Sequence, residues 1–210
     1  MNQPQYVPKL SKSLEDRLRK NKKLDMFLSD YKNICTRNEH VPANSKYAHC
    51  IHQLLELSNA FEKQNTKYVI LGGLAVLAHA QDKNPLALLE WRGTEDVDLL
   101  ADAEDIKVML SGFGYRSEKA LHNVRDGDGI EGRLYNFVDS NYGVSIGLRE
   151  GVKIGKARIT NGLYRDSQVI DFYGIPVKVP SIRHLISMKR AANRKKDRDD
   201  ITYLKSLGLR

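Results

Sequence analysis

Cysteine is nearly absent. Cys35 and Cys50 are the only two in 210 residues, too few for a disulfide framework or a four-cysteine zinc site. Tryptophan occurs once and proline six times. Long apolar runs are also missing. The longest nearly apolar stretch, Tyr68 to Ala80, is broken by two glycines and is too short to span a bilayer. The N-terminal Met-Asn-Gln-Pro-Gln lacks the apolar stretch of a signal peptide. These absences lead to the expectation of a reduced, cytoplasmic protein with no membrane partner. Apolar residues make up 41% and charged residues 29%, which excludes a wholly disordered or collagen-like chain.

The charge is uneven. The net +8 comes from 34 basic and 26 acidic residues. Residues 1–66 carry 11 basic and 7 acidic residues, and residues 67–152 carry 9 and 14. Residues 153–210 carry 14 basic and 5 acidic. An acidic middle between basic flanks suits a site that holds cations and receives a polyanion, although a charge run is also what a solvated face looks like.

Two regions are expected: residues 1–64 as a tail with helices, and residues 65–210 as the main domain. Ser11 or Ser13 can cap a helix running to about Asn33. A second helix is predicted over Asn44 to Gln64, with Ile51, Leu54, Leu55, Leu57 and Phe61 inward. Lys67 to Leu71 and Glu95 to Ala101 read as strands, with a short helix from Leu74 to about Ala80 after Gly72-Gly73. A helix follows from Glu104 to Gly112 and strands from Arg133 to Val138 and Tyr142 to Leu148, while Tyr115 to His122 is ambiguous. Val169 to Phe172 and Ile175 to Val179 form a hairpin pattern. Ser181 caps a helix towards Ala192, and a last helix covers about Lys196 to Leu207.

Three segments carry chemistry. In the first, a strand runs into Gly72-Gly73 and then a helix. Glycines admit close backbone approach, and a helix N-terminus offers free amides to a phosphate, although a tight turn has the same sequence. The second is Arg92-Gly-Thr94-Glu-Asp96-Val-Asp98-Leu-Leu. Residues two apart on a strand share a face, so Asp96 and Asp98 project together while Val97 and Leu99 turn to a core. Two adjacent carboxylates repel. Bound Mg²⁺, with oxygen ligands at roughly 2.0–2.1 Å, offsets that repulsion. In the third, Lys189, Lys196 and Asp200 recur at near-helical spacing. Such a face suits a triphosphate or a solvated helix with its own ion pairs. Trp91 can stack a base or pack at a domain edge.

The order Gly72-Gly73, then Arg92-x-Thr94-x-Asp96-x-Asp98, then Lys189 with Arg194-x-Lys196-Asp197-x-x-Asp200, resembles the nucleotidyltransferase superfamily that includes DNA polymerase β. Within it, the chain looks most like the AbiEii-type toxin nucleotidyltransferases and their stand-alone relatives. The resemblance covers about Lys67 to Leu207. It implies an α+β fold, a mixed β-sheet flanked by helices with further helices at both ends. It also implies transfer of NMP from an NTP to a hydroxyl, with release of pyrophosphate. Two Mg²⁺ (or Mn²⁺) ions, about 3.5–4 Å apart in such sites, would be held by Asp96 and Asp98. Gly72 and Gly73 would cradle phosphates and Lys189 would contact the triphosphate. Arg194, Lys196 and Asp197 would shape the same wall. Arg92 and Thr94 would support the Asp strand or the phosphates. RNA, with tRNA foremost, is the implied acceptor, and an antitoxin protein the implied partner.

One family position departs. A third carboxylate is expected on the strand Tyr142 to Leu148, where this chain has Ser145. Serine cannot replace an ionised carboxylate as ligand or base. Three explanations stay open: binding of NTP or RNA without turnover, substitution by Asp139, Glu150 or Asp171, or a different alignment of the strand.

Overall fold

The computed structural model describes residues 44–84, 87, 91–112, 115–117, 121–125, 130–139, 145–154, 157–172 and 175–209. The expected helix between Ser11 and Asn33, and Cys35, lie outside the described residues.

Helix α1 spans Asn44–Gln64. Ile51, Leu54, Leu55, Leu57 and Phe61, the five residues expected inward, are all buried. Each such side chain contributes about 1.5–3 kcal/mol when fully buried. They belong to the same core cluster as Val97, Leu99 and Ile146, so α1 packs as part of the main domain's core. Asn65 ends the helix in the left-handed conformation at φ 53°, which Asn tolerates better than most residues.

Strand β1 (Tyr68–Ile70) is wholly buried and leads into α2 (Gly72–Lys83). Residues 73–80 of α2 are all buried, as expected of a helix apolar on every side. Strand β2 (Asp96–Ala101) is followed by α3 (Ala103–Gly112). The ambiguous segment resolves into β3 (Tyr115–Ser117) and β4 (Leu121–Arg125), both paired with the long β5 (Ile130–Asp139). Then come β6 (Ser145–Arg149), the short β7 (Lys153–Ile154) and β8 (Ala157–Arg158), and helix α4 (Thr160–Arg165). Strands β9 (Gln168–Phe172) and β10 (Ile175–Val179) form the expected hairpin as a separate two-stranded sheet. It packs against β1, α1 and α2.

The main sheet runs β1-β2-β6-β5-β7-β8. The β1–β2 and β5–β6 pairs are antiparallel, and β2–β6 is parallel. A parallel pair needs a crossover, here supplied by α3 and the β3–β5 strands. Alternation sorts the central strands cleanly. Val97, Leu99, Ile146, Leu148 and Phe137 are buried on one face. Asp96, Asp98, Ser145, Gly147 and Asn136 share the other by register.

Helix α5 (Ile182–Ala192) is capped by Ser181, whose Oγ accepts from the His184 N–H. It ends at Asn193, φ 53°, and α6 (Lys195–Ser206) follows at once. Gly208, φ +77°, lets the Leu209 N–H reach the Leu204 carbonyl at 3.0 Å. The chain is thus a mixed α+β protein whose β2–β6 face is overlooked by α2, α5 and α6.

Candidate active site

A pocket of about 310 Å³ opens on the polar face of β2 and β6. Its lining includes Gly72, Gly73, Arg92, Thr94, Asp96, Asp98, Lys189, Arg194, Lys196 and Asp197. These ten residues, spread over four elements and the connections between them, reach one cavity, whereas Asp200 does not line it.

The glycine pair is demanded by packing. Gly72 has φ +63°, and a Cβ there would overlap the Asp98 carboxylate. A Cβ at Gly73 would lie 2.9 Å from Trp91 Cη2 and 3.0 Å from Thr94 Oγ1. The Leu71 N–H bonds to the Asp98 carbonyl at 2.8 Å, which fixes the turn beside β2. No side chain caps α2, and its first intrahelical bond is Ala75 N–H to the Leu71 carbonyl, 3.3 Å. The amides of residues 72–74 precede that bond, so they are the helix's unspent donors. The helix dipole adds partial positive charge at the same end.

Asp96 accepts a hydrogen bond from Thr94 Oγ1 at 2.7 Å, so Thr94 supports the Asp strand. Asp98 is pushed up to about 6, first by burial and then by the charge of Asp96, against lowering by Arg149, Lys189 and Lys196. Two carboxylates in this state favour a cation between them.

The opposite wall differs. The Lys189 ammonium pairs with Asp197 at 3.0 Å and Asp200 at 2.8 Å. Arg92 clasps Asp200 with Nε at 2.9 Å and Nη2 at 2.8 Å. Trp91 Nε1 donates to Asp200 at 3.0 Å. Arg194 Nε donates to Asp197 at 2.7 Å. Burial raises the Asp197 pKa, but the hydrogen bond and charge of Arg194 and the charge of Lys189 outweigh it and hold the carboxyl below its ordinary value. Lys189 is only 5% exposed. Two of its three ammonium hydrogens are spoken for, leaving at most one for a triphosphate. Arg92 serves Asp200 and Gly93. Asp197 orients Arg194 and Lys189 rather than Lys196. Trp91 is buried at 6% exposure and packs with its N–H satisfied, so the packing alternative is the observed one. Lys196 is exposed and makes no ion pair with a described residue.

Register places Ser145 directly beside Asp96, and Gly147 beside Asp98. Glu150 and Asp171 do not line the pocket, and Asp171 is exposed on β9. The Asp139 side chain lies outside the described residues. Among the described residues, no group of three or more His, Cys, Asp or Glu side chains is placed to hold a metal ion. Mg²⁺ is usually held by one or two carboxylates plus substrate phosphates. The Asp96–Asp98 pair fits that mode and does not fit an all-protein cage.

On the strands that line the pocket, Asn136, Gly147 and Arg149 escaped the sequence reading. Arg149 is four positions after Ser145 on β6, so alternation alone puts it on the same face. Asp200, read from the sequence as sharing a face with Lys189 and Lys196, is instead buried between Lys189, Arg92 and Trp91.

No protein-family model matches the sequence, and no curated protein matches it. Solved structures do. A proposed nucleotidyltransferase from Thermotoga maritima aligns with a TM-score of 0.50 at 13% identity, over 76% of this chain and 93% of that one. An antigenic nucleotidyltransferase-like protein from Paracoccidioides brasiliensis gives 0.45 at 18%, over 75% and 74%. The Megavirus polyadenylate synthase gives 0.48 at 14%, over 100% of this chain but 40% of the viral one. Of these three, the first supports an architectural statement: the chain has a nucleotidyltransferase-like fold. Among the described residues, no helix is long and apolar enough to cross a membrane.

Proposed function

We propose that the pocket binds a nucleoside triphosphate with Mg²⁺ or Mn²⁺ and transfers NMP to a hydroxyl acceptor, releasing pyrophosphate. The observation that carries this reading is the placement of Asp96 and Asp98 on one sheet face, against the uncapped N-terminus of α2. The unspent amides of Gly72 and Gly73 would donate hydrogen bonds to the terminal phosphates. Lys196 and Arg194 would add positive charge at the rim, the latter kept in place by Asp197. Thr94 would hold the Asp96 carboxyl in position through its 2.7 Å hydrogen bond. A divalent ion held by Asp96 and Asp98 would supply Lewis-acid polarisation of the phosphoryl oxygens. The chain's own part is to position the triphosphate and neutralise its charge.

RNA is the proposed acceptor, with tRNA the first choice, because the C-terminal third is strongly basic. The AbiEii-type resemblance further suggests a toxin-like role in the cytoplasm with an antitoxin partner. A second reading has its own observation. Ser145 lies in register with Asp96, where a third carboxylate is expected, which favours NTP or RNA binding without turnover.

The test is incubation with each α-³²P-labelled NTP, Mg²⁺ or Mn²⁺ and total cellular RNA, resolved on denaturing RNA and protein gels. Label on RNA or protein, lost in Asp98→Asn, is the expected result. Label unchanged in both Asp96→Asn and Asp98→Asn would contradict the site. NTP binding by calorimetry with no label would favour the second reading.

A further inference from the structure

Helix α5 has two working faces. Leu185, Met188, Lys189 and Ala192 line the pocket. Arg183, Ile186, Ser187 and Arg190 line a second, open cleft of about 290 Å³ together with Lys205 of α6. Both sets follow the i, i+3, i+4, i+7 spacing of a helix stripe. At about 100° per residue, the two stripes point in nearly opposite directions.

The charge bookkeeping separates them. Inside the hairpin, Lys189 and Arg194 are matched by Asp197 and Asp200. Outside, Arg183, Arg190 and Lys205 are exposed, and none forms an ion pair with a described residue. Among the described residues, the cleft lining contains no carboxylate. Asp166 does feel Arg183, but its first partner is Arg165, at 2.6 Å. Three like charges around one cleft with no facing carboxylate raise the local positive potential and favour an anion there.

We infer that this outer face of the α5–α6 hairpin binds the phosphate backbone of a nucleic-acid acceptor through Arg183, Arg190 and Lys205. A lipid surface fits less well. The cleft's apolar residue, Ile186, is buried at 4% exposure, and the large hydrophobic exposed among the described residues is Val169, on β9. A helix with its side chains is about 10–12 Å across. An acceptor touching the outer stripe and entering the pocket must span at least that distance, which selects a polymer over a small molecule. The inference rests on reading the pocket as an NMP-transfer site. It adds where the acceptor is held.

The test is fluorescence anisotropy with a fluorescein-labelled 24-nucleotide single-stranded RNA, bulk tRNA and a single-stranded DNA of matched sequence, at several salt concentrations. The proteins are the wild type, Arg183→Glu/Arg190→Glu/Lys205→Glu, and the milder triple glutamine variant in case the reversal fails to fold. Loss of three contacts should weaken nucleic-acid binding at least about tenfold at physiological salt. It should also flatten the log–log salt slope by about 2, at roughly 0.7 per phosphate on single strands. The RNA and DNA arms tell which polymer is preferred. Unchanged affinity and slope in the folded glutamine variant would overturn the inference. So would a wild type that binds anionic phosphatidylserine vesicles but none of the three nucleic acids. ATP–Mn²⁺ calorimetry on the same proteins separates the two claims. Its failure in wild type would strike the pocket reading, whereas a triple variant that binds ATP normally and nucleic acid weakly would support the cleft.

Discussion

Asp96 and Asp98 on β2, and Asp197 and Asp200 on α6, are two acidic pairs built in opposite ways. The α6 pair is fully buried, at 0% and 1% exposure, and every carboxylate is met by Lys189, Arg92, Arg194 or Trp91. The β2 pair is partly exposed to the pocket, and its charges work against each other. Asp197 is lowered while Asp98 is raised to about 6. The α6 pair is complete within the protein and holds a wall in place. The β2 pair is left in mutual repulsion, which the proposed metal–nucleotide complex would relieve. The same residue type therefore marks scaffold in one place and the proposed binding site in the other, and the electrostatic surroundings tell them apart.

The comparison can be broken first at Asp200. Asp200→Ala strands Lys189, Arg92 and Trp91 Nε1 together, and should cost about 3–5 kcal/mol in urea unfolding. A loss under about 1 kcal/mol would mean the network is not the clamp described. Asp98→Asn should act in the other direction. It removes the repulsion that raises Asp98 and should stabilise the ligand-free protein by about 1–3 kcal/mol at pH 7. Destabilisation by that amount would show that Asp98 is structurally paired. Gly72→Ala should cost about 1–2 kcal/mol for the left-handed backbone alone, with further loss from overlap with Asp98. Adding Asp98→Ala should recover the overlap part and leave the backbone part. Equal stability of single and double variants would refute the close approach.

The smallest effect is a pH slope. Asp98 has a folded pKa of about 6 against an ordinary 3.8. The folded state therefore binds more protons between those values, and the stability that Asp98 contributes falls as pH rises through them. Asp197 has the opposite sign: its contribution is present above the ordinary carboxylate range and is lost as pH falls through its lowered value. The stability advantage of Asp98→Asn over wild type should therefore grow between pH 4.5 and 7. An advantage that shrinks over that interval would reverse the assignment.

Much of this was legible in the chain. The helix over Asn44–Gln64, its five buried residues and the Ser181 cap follow from local periodicity and capping, which act over a few residues. The Asp-x-Asp strand was legible because Val97 and Leu99 fix which face is core. The state of the α6 charges was not. Lys189 meets Asp197 and Asp200 only because Asn193 turns α5 back onto α6, and sequence spacing cannot tell such a buried network from a solvated face. Trp91 and Arg92 meet Asp200 across more than 100 positions, beyond any local rule. The small β7, β8 and α4 were missed because two-residue strands and a six-residue helix carry almost no periodic signal.

The central claim is that the β2 pair is kept incomplete for a metal–nucleotide complex. Thermal unfolding of wild type and Asp98→Asn, each alone, with MnCl₂, and with MnCl₂ plus ATP, tests it most directly. The account predicts a higher midpoint for Asp98→Asn without ligand. It further predicts a small shift of wild type with Mn²⁺, a larger one with Mn²⁺–ATP, and neither shift in Asp98→Asn. A lower ligand-free midpoint in the variant together with an undiminished Mn²⁺–ATP shift would contradict it.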